Sequence, residues 1–156
     1  MRKNKIVILG MGNPLFRDEG LGIHLIKRLM QELITDGVEL VDGGTDGLAL
    51  LNVVEATDYL LVVDAVMGDN APGTVCKLAV QDMPMQVSGH LSTHQTGFQE
   101  ILALAALRGR LPQHLVLLGI QPQCLDWGTQ LSPPVARALP ELTGLISEQL
   151  KEWLDC

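Results

Sequence analysis

Short apolar runs alternate along this chain with longer stretches of helical periodicity, and that alternation limits the possible folds more than any other feature. Residues 5–9 (KIVIL) form a run of buried-strand type, and Leu21, Leu25, Leu29 and Leu33 then recur at helical spacing up to Ile34. A second strand is predicted over Val38–Asp42, closed by Gly43 and Gly44, followed by a short helix over Leu48–Ala56. Tyr59–Val63 is a third, wholly apolar strand that ends in Asp64. Gly73–Val80 reads as a short fourth strand entered through Pro72 and Gly73, near enough in sequence to the third for antiparallel pairing with it. His114–Ile120 is the fifth.

Phe98–Leu107 reads as a helix, with two overlapping capping-box patterns at its start, Ser92-x-x-Gln95 and Thr96-x-x-Gln99. The last helix is expected to use Ser132 as N-cap and Pro133 as its first residue, with an apolar stripe of Val135, Leu139, Leu142, Ile146, Leu150 and Trp153 and a kink at Pro140. Strands alternating with helices predict an α/β fold. The expected architecture is a single domain over residues 1–156, with a twisted, mostly parallel five-stranded sheet, helices on both faces and one short antiparallel strand.

The chain is 156 residues long and 47% hydrophobic but only 3% aromatic, so it can bury a core, and that core must be aliphatic. A net charge of −7 argues against nucleic acid or an anionic membrane surface as the main partner. The basic start Met1–Lys5 resembles that of a signal peptide, but the apolar run behind it stops at Gly10, short of the roughly 7–15 residues such a segment needs. No run approaches the roughly 18 apolar residues of a membrane span. A cytoplasmic, monomeric protein is expected. Cys76, Cys124 and Cys156 are odd in number and widely spaced, which predicts reduced thiols. Residues 81–94 form the longest stretch without an assigned element.

The loop between the first strand and the first helix, Gly10–Gly22, has the glycine content of a phosphate cradle but delivers two carboxylates, Asp18 and Glu19. In open α/β sheets, ligand sites gather beyond the carboxyl ends of the strands. Asp18 and Glu19 follow strand one, Asp64 follows strand three, and His94 lies at the start of a helix packed on the sheet. Each has an ordinary explanation when taken alone. An acid near a helix N-terminus is stabilised by roughly 0.3–1 kcal/mol, an Asp at a strand end caps the next loop, and a histidine at a helix start is usually structural. Yet one capping acid would suffice where there are two.

Taken together, two carboxylates converging with an imidazole on one edge would repel each other without a cation. With one, they form an O/O/N site with open coordination positions, suited to Zn²⁺, Ni²⁺ or Mn²⁺. The i, i+4 pair His90 and His94 makes a weaker zinc candidate because Ser88 and Gly89 disfavour a helix there. His24 reads as a packing or surface residue, and His114 as exposed. A dinucleotide site is the rival: Gly10-x-Gly12 opens its fingerprint and Asp42 stands where the ribose-binding acid would. However, Leu15 occupies the third glycine position, and GK[ST] is absent. A non-catalytic chaperone using the same residues is a third possibility.

At these residues the chain resembles the nickel–iron hydrogenase maturation endopeptidases, nearest to the uptake-hydrogenase branch. The matching positions are Gly10, Gly12, Asn13, Leu15, Asp18, Glu19, Gly20 and Gly22, then Asp42–Thr45, Asp64 and Ala65, Pro72 and Gly73, Ser92 and His94, and Leu131–Pro133. The resemblance runs in order from about residue 5 to about residue 150. It implies a metal-dependent endopeptidase that removes the C-terminal extension of a nickel-loaded hydrogenase large-subunit precursor. Glu19, Asp64 and His94 are implied as metal-binding and catalytic residues, with Asp18, Asn13 and Asp42 in support. The nickel is implied to arrive within the precursor, with zinc or cadmium able to replace it in the isolated protein.

Overall fold

In the computed structural model, residues 2–32, 36–44, 47–79 and 93–155 are described. Five strands form one sheet: β1 Ile6–Met11, β2 Val38–Gly44, β3 Tyr59–Ala65, β4 Val75–Ala79 and β5 His114–Ile120, in the order β2-β1-β3-β5-β4. The pairs β1–β2, β1–β3 and β3–β5 are parallel, and β4 runs antiparallel to β5. Four helices complete the domain: α1 Leu21–Glu32, α2 Gly47–Glu55, α3 Thr93–Leu107 and α4 Pro133–Leu154. Among the described residues no helix is long and apolar enough to cross a membrane.

β1 and β3 are buried at every position because helices cover both faces of the sheet. Alternation along the strands divides the core in two. Ile6, Ile8, Leu61, Val63 and Leu118 pack with Leu25 and Leu29 of α1 and with Leu142, Ile146 and Trp153 of α4. Val7, Leu9, Leu60, Val62 and Leu115 face the other way, against Leu50 and Val54 of α2 and Phe98, Ile101 and Ala105 of α3. At the amino edge Tyr59 stacks on His114 at 4.6 Å and meets Trp153 edge-on at 5.4 Å. His114 is exposed, as expected, with one ring face covered.

Several expectations are corrected in detail. The partner of β4 is β5, not β3, because β3 already has parallel neighbours on both sides and offers no free edge. α1 begins at Leu21 as expected but is preceded by a separate 3-10 turn, Arg17–Gly20, that carries both acids; Ile34 lies outside the described residues. α3 starts at Thr93, five residues ahead of Phe98, directly after the first of the two capping candidates. Residues 81–92 of the long stretch, with His90, lie outside the described residues. α4 runs as one helix from Pro133 to Leu154 with Pro140 inside it, the position at which the kink is expected. Ser132 is its N-cap by backbone conformation, yet its side chain makes no capping bond. That hydroxyl is engaged elsewhere.

Candidate active site at the carboxyl edge of the sheet

The loop leaving β1 is held by its own backbone and by two neighbouring segments. The Gly12 N–H donates to Gly44 O at the end of β2 (3.2 Å), and the Leu15 N–H donates to Asn13 Oδ1 (3.0 Å) in a turn closed by a Phe16 N–H bond to Asn13 O (3.2 Å). Glu19 N–H then donates to Phe16 O (3.1 Å), forming the 3-10 turn. Asp42, exposed at the end of β2 and in register with Gly10, accepts the Gly44 N–H on Oδ1 (3.1 Å). Asn13 and Asp42 therefore shape the backbone around the site.

The two adjacent acids have different environments. Asp18 is completely buried. Its Oδ2 accepts the backbone N–H groups of Gln123 and Cys124, both at 2.9 Å, and the Ser132 hydroxyl at 2.6 Å. Its Oδ1 accepts the Ser132 N–H at 2.7 Å. Burial pushes this carboxyl up, but the bonds from the Ser132 side chain and from the Cys124, Ser132 and Gln123 backbone outweigh it, and the group is held below the ordinary carboxylate value. Asp18 is thus an internal anchor between the β1 loop and residues 121–132.

Glu19 is half-buried on the same turn, and its main chain lies over Gly12. Gly12 has φ +121°, and a Cβ there would fall on the Glu19 carbonyl oxygen and 3.5 Å from Asp64 Oδ1. Only glycine lets the Glu19 turn come down beside Asp64. Gly22 has a matching role further along the chain: a Cβ would run into the Met11 and Val63 carbonyl oxygens, so α1 can start directly against β1 and β3.

Asp64 is the sixth residue of β3 and only 2% exposed. Alternation with Leu60 and Val62 turns it toward the face covered by α2 and α3, and its Oδ1 accepts the Ala65 N–H at 2.8 Å. His94 is the second residue of α3. Because α3 leads into β5, it runs opposite to the parallel strands, and its N-terminus lies at their carboxyl edge on the face toward which Asp64 points. The His94 imidazole is outside the described residues, and among those residues no group of three His, Cys, Asp or Glu is placed to hold a metal ion. The backbone thus brings Glu19, Asp64 and the start of α3 to one edge. Of these, the Asp64 carboxylate and the Glu19 main chain both come close to Gly12.

Sequence reasoning missed the segment from Gln121 to Ser132, which straps the site loop in place. Gly128 N–H donates to Leu15 O and Arg17 N–H to Gly128 O, each at 2.9 Å, and Asp18 N–H donates to Cys124 O at 3.1 Å. Arg17, with φ +48°, extends along Gly128 to donate from Nε to Gln130 O (3.2 Å) and from Nη1 to Cys124 Sγ (3.1 Å). Leu131–Pro133 marked a helix start in the sequence, but nothing there tied residue 132 to residue 18. Cys76 and Cys124 are free thiols, and burial pushes the Cys76 thiol up against an opposing bond from the Gly119 backbone. His24 is partly buried in α1, with Nε2 lacking a hydrogen-bond partner among the described residues.

The fold defines an α/β protein with acids at the carboxyl edge of its sheet, and comparison with known proteins names the class. The family model for hydrogenase maturation protease matches residues 23–149. The hydrogenase expression/formation protein HupD of Bradyrhizobium diazoefficiens is 42% identical over 154 residues, covering 96% of this chain and 80% of that protein. The hydrogenase 2 maturation protease of Escherichia coli is 33% identical over 150 residues, covering 95% and 92%. The solved structure of the hydrogenase maturating endopeptidase HybD from E. coli superposes with a TM-score of 0.89 at 33% identity, covering 95% of this chain and 93% of that one. The chain belongs to the hydrogenase maturation protease family, whose members are endopeptidases, and its sheet and helix arrangement is that of the HybD structure.

Proposed function

We propose that this protein removes the C-terminal extension of a [NiFe] hydrogenase large-subunit precursor after nickel has been seated there, as a late maturation step. The precursor's nickel is the feature recognised, and Glu19, Asp64 and His94 complete its coordination. The observation that supports this most is the approach of the Glu19 main chain and the Asp64 carboxylate to the same point beside Gly12, at the edge where α3 begins. Asp64, one residue before the end of β3, is only 2% exposed and faces the side of the sheet on which α3 begins. Glu19, half-buried on a turn, remains able to meet a ligand carried on a large protein.

The chemistry required is hydrolysis of one peptide bond: a water oxygen bonds to the carbonyl carbon, the C–N bond breaks, and a proton passes from the water to the leaving amine. Nickel bound in the precursor supplies Lewis acidity, while the chain's residues hold the extension in position beside it. The dinucleotide alternative is disfavoured because the 3-10 turn bearing Asp18 and Glu19 occupies the place where a pyrophosphate would approach the N-terminus of α1.

Purified protein incubated with nickel-loaded precursor should yield the truncated subunit by mass spectrometry, and Glu19→Gln, Asp64→Asn and His94→Ala should each abolish truncation while keeping the wild-type circular dichroism spectrum. An active His94→Ala variant would remove that residue from the site. Binding of the precursor by wild type without cleavage would instead make the protein a chaperone of the same client.

A further inference from the structure

Resting on the reading above, we infer that Leu15, Phe16 and Trp127 form a docking platform for an apolar side chain of the precursor next to its scissile bond. Trp127 is 75% exposed and Leu15 51% exposed, unusual for an indole and a leucine side by side. The indole is not loose: it lies on Phe16 with ring centroids 4.5 Å apart and planes tilted by 37°. Beneath it the backbone is fixed from both sides by the bonds between Gly128 and residues 15 and 17. A large apolar surface held ready in this way loses little conformational entropy when a partner covers it.

The platform is continuous with the site. Phe16 O accepts the Glu19 N–H, so the aromatic pair stands one turn from the proposed nickel-recognising carboxylate. Leu125 and Met67 are also exposed, on the loops that follow β5 and β3, and these loops are joined by a Gly68 N–H bond to Gln121 Oε1 at 2.9 Å. Apolar side chains exposed elsewhere, such as Met30 and Leu107, lie near the far ends of their helices, toward the opposite edge of the sheet. A peptidase must bring an extended segment of its substrate past the reacting groups, and this surface is where such a segment would pass. The net charge of −7 makes an anionic membrane a poor occupant.

Steady-state truncation of nickel-loaded precursor by wild type, Trp127→Ala and Trp127→Phe tests the assignment. Trp127→Ala should raise KM by about tenfold or more while kcat at saturation stays within about threefold, and Trp127→Phe should recover most of the difference. The thermal midpoint should not move, since the ring is exposed. A KM for Trp127→Ala within about twofold of wild type would overturn the platform and leave the peptidase reading intact. If wild type cleaves nothing, the same precursor is used in a binding assay. Weaker binding by Trp127→Ala would then support the platform while the peptidase reading fails, and equal or absent binding would overturn both. A wild-type dimer in sedimentation that Trp127→Ala dissociates without changing KM would assign the surface to a second copy and overturn the proposal.

Discussion

Asp18→Asn separates the two neighbouring acids. In the wild type, one carboxylate receives four hydrogen bonds at 2.6–2.9 Å in a fully buried position. An asparagine of the same shape can place its amide oxygen where Oδ2 receives Gln123, Cys124 and the Ser132 hydroxyl, but its NH₂ then faces the Ser132 N–H, donor against donor. Two buried donors, the Ser132 N–H and the new amide NH₂, are left facing each other unsatisfied, at about 1–3 kcal/mol each, and three charge-assisted bonds become neutral ones. Relief of the carboxylate's own desolvation offsets some of this. A net loss of about 3 kcal/mol is expected, which for a chain of this size lowers the thermal midpoint by about 6–12 °C.

Because the Asp18 pKa is lowered in the fold from 3.8, its contribution is fully present above that value and is lost as pH falls through the folded pKa. The gap between wild type and Asp18→Asn should therefore be constant from pH 7 to about 5 and narrow in more acid solution. Thermal unfolding followed by circular dichroism across this range provides the measurement, with truncation assayed well below the midpoint, where the variant should retain activity. Equal stability of variant and wild type at pH 7, or a gap that does not narrow in acid, would refute the anchoring role.

Other predictions follow from single contacts. Gly12→Ala places a Cβ on the Glu19 carbonyl at a positive φ, and should destabilise the protein by about 2–4 kcal/mol in urea unfolding while abolishing truncation, since Glu19 must move away from Asp64. Ser132→Ala removes the hydroxyl donor to Asp18 and should reduce stability by about 1–2 kcal/mol, less than Asp18→Asn, with turnover preserved. Trp153→Ala empties a buried site against Tyr59 and should lower stability by about 3–5 kcal/mol, measured by chemical denaturation, without changing KM.

Much of the fold was legible because β1, β3 and β5 are buried on both faces and so read as unbroken apolar runs, while α1 and α4 carry one-sided stripes. The neighbour of β4 was not legible, because pairing depends on which strand edge is left free once the parallel core has formed. Asp64 stood out as an acid at a strand end and Glu19 as one of two acids in the glycine-bounded loop after β1, both beyond the carboxyl ends of strands, where the fold class places its ligands. What distinguishes Asp18 from Glu19 is contact with Ser132, 114 positions away, and no local pattern carries it. The strap was hidden for the same reason. Residues 121–132 have little hydrophobic period, and their shape comes from hydrogen bonds to a loop a hundred residues earlier, including an arginine held at positive φ.

A nickel ion already seated in the substrate is what the proposed site reads before cleavage. Parallel incubation of the wild-type protein with nickel-loaded and nickel-free precursor, followed by intact-mass analysis of the large subunit, tests this most directly. Truncation of the nickel-loaded form alone is the predicted result, and equal truncation of both forms would contradict it.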